Sequence, residues 1–166
     1  MLFRSALALE GKKIWQTLKM NDPLKKKMQP RLGDLFFDAA IEVAGSGDIT
    51  PATERKLQGY RLKAESFYRS SLGDAGSGLS SREKIHFQFQ MARLQSDLGR
   101  TEKAQEIWQE LTKQTEEKKI QRESALKLAE MKEISNRPDE LKKASQYYEL
   151  AQRNCEKKEV CAYIQY

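Results

Sequence analysis

Apolar side chains recur along this chain at three- and four-residue intervals, and Val and Ile show no alternation of period two. The pattern predicts helices throughout. A first runs from about Leu2 to Met20, with Leu2, Phe3, Leu7, Ile14, Trp15 and Leu18 apolar, and Asn21-Asp22-Pro23 stops it. Lys25 to Pro30 reads as a basic connector. A second helix covers about Arg31 to Ala44, its stripe made of Leu32, Leu35, Phe36, Ala39, Ala40 and Val43, and Gly45-Ser46-Gly47-Asp48 closes it. A third opens on Thr50 as cap with Pro51 in its first turn and continues to about Leu72. Gly73 to Gly78 is the clearest loop. Ser80 or Ser81 caps a fourth helix that reaches Leu98, and Gly99-Arg100 is a tight turn. Further helices follow over Thr101–Gln114, Glu117–Ile134 and Pro138–Cys155, and Val160–Tyr166 has the pattern of the first turns of an eighth. Short connections make neighbours antiparallel. The expectation is therefore an all-α array of antiparallel helix pairs, seven or eight helices in all.

The chain also repeats itself. Ala64, Ala104 and Ala144 stand 40 residues apart in succession, and four residues after each comes an aromatic: Tyr68, Trp108 and Tyr148. A small residue one turn before a large one lets two helices approach and then interlock, so one helical unit used three times is implied. The best single copy spans about Glu83 to Gln114, with Met91-Ala92, then Leu98-Gly99, then Ala104, Trp108 and Leu111. The next reads Leu128-Ala129, then Ala144, Tyr148 and Ala151. An earlier one reads Ala39-Ala40, Gly47-Asp48, then Ala64 and Tyr68.

These residues resemble the tetratricopeptide repeat family over about Leu32 to Ala151. Gln88 stands where the family has a bulky aromatic, Glu116 stands where it has a proline, and the period is nearer 40 than the family's ~34 residues. The repeats are thus degenerate. The resemblance implies an α-solenoid over 31–166, with repeats near 31–72, 80–115 and 117–155, preceded by a helix and basic connector over 1–30. It also implies that the first helix of each pair lines a concave face that receives a peptide or partner helix. Carried onto this chain, the groove-facing positions are His86, Phe89, Arg93, Ser96 and Asp97 in the best copy. The next copy gives Glu123, Leu126, Glu130, Glu133 and Ile134, and the weaker first copy gives Asp34, Phe37 and Ile41. Each apolar member of these sets has an alternative role, packing against a neighbouring helix.

Composition adjusts this picture only at its edges. The 166 residues are 39% apolar and 33% charged, which suits a thin or elongated core. Lys and Arg number 30 against 24 Asp and Glu, for a net charge of +6. Such an excess can serve nucleic acid or an acidic partner, but Lys25-Lys26-Lys27 lacks the interleaved aromatics of a single-strand platform. No stretch approaches the ~20 apolar residues of a membrane span, and the apolar run at the amino terminus is too short for a signal peptide. Cys155 and Cys161 leave two readings: a disulfide in an oxidising compartment such as a periplasm or cell envelope, or two thiols in the cytoplasm.

His86 is the only histidine, and no nucleophile motif accompanies it. The loop 73–78 lacks the Lys and Ser/Thr of a phosphate-binding loop. The sequence expectation is a non-enzymatic scaffold or adaptor for a protein or peptide partner, with no cofactor, metal or small-molecule substrate. Self-association through the carboxy-terminal edge, a regulatory helical domain of a larger protein, and a nucleic-acid-associated basic protein are the alternatives.

Overall fold

The computed structural model describes residues 3–19, 22–47, 50–73, 78–114 and 117–154. Those residues form seven helices and no strand: α1 (Phe3–Thr17), α2 (Pro23–Ala44), α3 (Pro51–Gly73), α4 (Ser81–Asp97), α5 (Thr101–Gln114), α6 (Lys118–Ile134) and α7 (Pro138–Arg153). The eighth helix expected over 160–166 and the cysteine pair Cys155 and Cys161 lie outside the described residues.

One boundary differs from the sequence expectation. Lys25 to Pro30 is not a connector but the first part of α2. Asp22-Pro23, which ends the pattern of the first helix, also starts the second: the Asp22 carboxylate accepts the Leu24 N–H at 2.8 Å, and Pro23 occupies the first turn, where its missing N–H costs nothing. Pro30 is then an internal proline. It is buried, and the helix passes through it. Pro30 has no N–H to give the Lys26 carbonyl four residues back, and one residue earlier the Trp15 indole N–H donates to the Lys25 carbonyl at 3.2 Å, tying α1 to this part of α2.

The chain divides into two compact units, Met1–Gly99 and Arg100–Tyr166. The division falls inside the stretch that reads as the best single repeat. In the first unit each helix packs on its sequence neighbour, α1 on α2, α2 on α3, and α3 on α4. Contacts run in opposite order along each pair: Arg4 meets Asp38 and Gly11 meets Leu32, while Asp34 meets Tyr68 and Phe36 meets Tyr60. The neighbours are therefore antiparallel. The core is aromatic. The Phe36 and Phe67 rings stack at 5.8 Å, Trp15 sets its edge against Phe67, and Tyr68 lies 6.0 Å from Phe87. At Gly33 α2 lies tight against α3. A Cβ there would stand 2.6 Å from the ring of Tyr68, a side chain with no exposed surface.

In the second unit α5 packs on α6 and α6 on α7, again antiparallel: Gln121 donates to the Thr112 carbonyl, Lys132 reaches back to Gln105, and the Tyr148 hydroxyl donates to Glu133. Buried Ala104, Trp108 and Leu111 on α5 and Ala125, Leu128 and Ala129 on α6 form its core. The buried Glu140 carboxylate accepts from Lys132 at 2.7 Å and Lys143 at 2.6 Å, and these bonds hold it down at a pKa of about 2. The turn before α7 uses Asn136 at φ 49, a left-handed conformation that asparagine tolerates.

Candidate functional site

The site begins with a lateral contact between α2 and α4, helices not adjacent in sequence. Arg31 lies 4.0 Å from Glu83, Asp34 3.9 Å from His86, and the Arg93 guanidinium sits 5.4 Å from the centre of the Phe37 ring. Positions 31, 34 and 37 on one helix meet 83, 86 and 93 on the other in the same order, so α2 and α4 run parallel. Each is separated from the other in the chain by the antiparallel α3. This is the arrangement that alternate helices of a helical repeat array must have.

The start of α4 fixes one end of this face. Ser80 and Glu83 form a reciprocal cap: the Ser80 hydroxyl accepts the Glu83 N–H, and the Glu83 carboxylate accepts both the Ser80 N–H and its hydroxyl. The backbone bond from Ser80 is the largest influence lowering the Glu83 pKa below the ordinary glutamate value. A turn further on, the buried Tyr68 hydroxyl donates to Asp34 Oδ1 at 2.7 Å. Burial pushes the Asp34 carboxyl above its usual range, and the Tyr68 bond opposes that rise. Burial also raises the Tyr68 phenol, then the Asp34 charge does, so this hydroxyl remains a neutral donor. The face thus carries Arg31 and Asp34 about one helical turn apart on α2, His86 beside Asp34, and Arg93 two turns beyond His86 over the buried Phe37 ring.

The expected groove residues do not share one surface. His86 and Arg93 stand on the α2–α4 face together with Asp34. Phe37 and Phe89 point inward as floor, the packing alternative raised for them in the sequence, whereas Ile41 is exposed. Asp97 turns the other way, 3.9 Å from Arg61 of α3, and Ser96 is half-buried. In the second unit the predicted positions all lie on α6. Glu123 pairs with Arg122, Glu130 with Lys127, and Glu133 is engaged by Tyr148 of α7. Leu126 is half-buried and Ile134 is 85% exposed. A shallow open groove of about 320 Å³ follows α7, lined by Glu133, Leu141, Ala144, Ser145, Tyr148, Glu149 and Gln152.

Arg31 and Glu83 were absent from the sequence expectation. Their signal was the capping box at Ser80-x-x-Glu83, which identifies a helix start but not what that start rests against. Among the described residues no cluster of three His, Cys, Asp or Glu side chains is placed to hold a metal ion, and no helix is long and apolar enough to cross a membrane. No family model, no curated protein and no solved structure matches the chain.

Proposed function

We propose that the protein is a non-catalytic binding module built from degenerate tetratricopeptide-like repeats, and that it holds a peptide or helix of a partner protein. The observation that carries this reading is the parallel pairing of α2 and α4. It sets Arg31, Asp34, His86 and Arg93 on a rigid frame above buried aromatics. Such a face recognises an extended or helical segment by shape and by spaced hydrogen bonds, with guanidinium groups suited to carboxylates. Arg93 stacks on Phe37 and so keeps its donors oriented while losing little further side-chain freedom on binding. The α6 positions Glu123, Leu126 and Glu130 belong to the same reading as a second contact surface.

The test is selection of displayed random peptides on the intact protein, followed by binding to two variants. Arg93→Glu should abolish binding of peptides selected for acidic residues, and Glu130→Lys should leave it unchanged if α2–α4 is the principal face. Peptides indifferent to both substitutions would refute this placement of the binding surface.

A further inference from the structure

The basic excess of the chain is concentrated in one place. Residues 12–27 hold six lysines (Lys12, Lys13, Lys19, Lys25, Lys26 and Lys27) and a single acid, Asp22, a net +5 where the whole chain carries +6. Asp22, whose carboxylate caps α2, and Glu10, 2.9 Å from the Lys13 ammonium, offset part of this charge and leave the lysines in excess. Of residues 12–27, those described, 12–19 and 22–27, lie at the corner where the end of α1 meets the start of α2.

The same corner exposes apolar side chains. Ile14 is 53% exposed and Leu24 52%. Leu7, two turns before Ile14 on the same stripe of α1, is also exposed, whereas Ser5 and Ala8 form the side of α1 that is buried. Side-chain contacts tie the two helices together here. The Trp15 indole donates to the Lys25 carbonyl, and the Lys25 ammonium donates to the Leu18 carbonyl at 2.9 Å while lying 4.4 Å from the centre of the Trp15 ring. Ile14 follows Lys12 and Lys13 in α1, and Leu24 precedes Lys25 to Lys27 in α2, so each exposed apolar side chain has lysines next to it in the chain.

We infer that this corner docks on an anionic lipid bilayer, with Ile14, Leu24 and Leu7 entering the headgroup boundary and the lysines meeting the lipid charge. A bilayer surface answers both features at once, since apolar side chains gain from shallow insertion and nearby lysines from the surface potential. Lysine stems can lie along the apolar zone with their ammonium groups among the headgroups. A nucleic acid would match the lysines but leave Ile14 and Leu24 in water. Nor is there a stacking platform for its bases, because Lys25 lies over the ring of Trp15. The inference uses none of Arg31, Asp34, His86 and Arg93, and of its lysines Lys27 is near enough to act on the Glu83 carboxylate at the edge of that face.

The full chain should co-sediment with phosphatidylcholine vesicles containing phosphatidylglycerol, not with phosphatidylcholine alone, and less at high salt. Removing two exposed charges in Lys19→Gln/Lys27→Gln should lower partitioning by about 25-fold, at about fivefold per lysine. Ile14→Ala/Leu24→Ala leaves the charge unchanged and should still lower partitioning by about tenfold. Both single variants and circular dichroism guard against an unfolded double variant. Arg93→Glu should bind vesicles as the parent does, which separates this result from the peptide-binding test. Absence of binding to anionic vesicles overturns the inference. So does undiminished binding of the folded Ile14→Ala/Leu24→Ala chain, and so does a preference for single-stranded or duplex nucleic acid over vesicles.

Discussion

Two glycines in one unit set up a paired experiment with opposite expected signs. Gly33 in α2 faces Tyr68, and a Cβ there would stand 2.6 and 2.7 Å from two ring carbons. Contacts this short force something to move. The ring has little freedom, since it is fully buried, packs near Phe87 and has its hydroxyl bonded to Asp34. Overpacking of this kind costs about 1–3 kcal/mol. Alanine returns about 0.8–1 kcal/mol of helix propensity over glycine. Gly33→Ala should therefore destabilise the unit by a net of up to about 2 kcal/mol, the difference between those two effects. Gly59 in α3 meets nothing within 4 Å, so Gly59→Ala keeps only the propensity gain and should stabilise by about 0.5–1 kcal/mol. Urea unfolding is the assay. Trp15 reports on the first unit and Trp108 on the second, so a Trp108→Phe background isolates the signal of interest. A shift of midpoint at constant slope reads stability directly. If Gly33→Ala is as stable as Gly59→Ala, then α2 and α3 do not approach at Gly33 as described.

Glu140 gives a pH signature. Its folded pKa of about 2 lies below the ordinary glutamate value, so the stability it contributes is fully present above that ordinary value and lost as pH falls towards 2. Glu140→Gln should flatten the acid side of the second unit's stability profile, as followed by Trp108 emission; a parallel, merely displaced profile would contradict this. Ser80→Ala breaks the capping box and should cost about 1 kcal/mol by chemical denaturation. Leu128→Ala, at a side chain with no exposed surface, should cost about 2–5 kcal/mol, whereas Ile134→Ala, at a side chain 85% exposed, should change stability by less than about 0.5 kcal/mol. Similar losses for both would contradict the burial pattern.

The helices were legible because glycine turns and caps punctuate an amphipathic pattern. The repeat alignment also marked core positions. Ala64, Ala104 and Ala144 are buried, as are Tyr68, Trp108, Met91-Ala92 and Leu128-Ala129. Three features escaped. Pro30 signals a helix end locally, yet Asp22-Pro23 had already begun α2 and packing carries it through. Periodicity found α1 but not its buried side, since small Ser5 and Ala8 face inward while larger Leu7 and Ile14 stay exposed. The lateral partners of α2 were invisible, because no local rule connects Arg31 to Glu83 or Asp34 to His86 across an intervening helix. For the same reason Phe89, which has the spacing of a groove residue, becomes floor only when α4 is laid beside its neighbours.

Glu83 completes the α4 cap and also lies beside Arg31 of α2. In the first unit every helix–helix contact of substance joins elements next to, or one removed from, each other in the chain. The α2 and α3 residues that receive α4 all precede it in the chain. One carboxylate thus takes part both in the cap that begins α4 and in its contact with α2. The first unit can consequently be assembled progressively behind its amino terminus, without waiting for a distant segment to arrive.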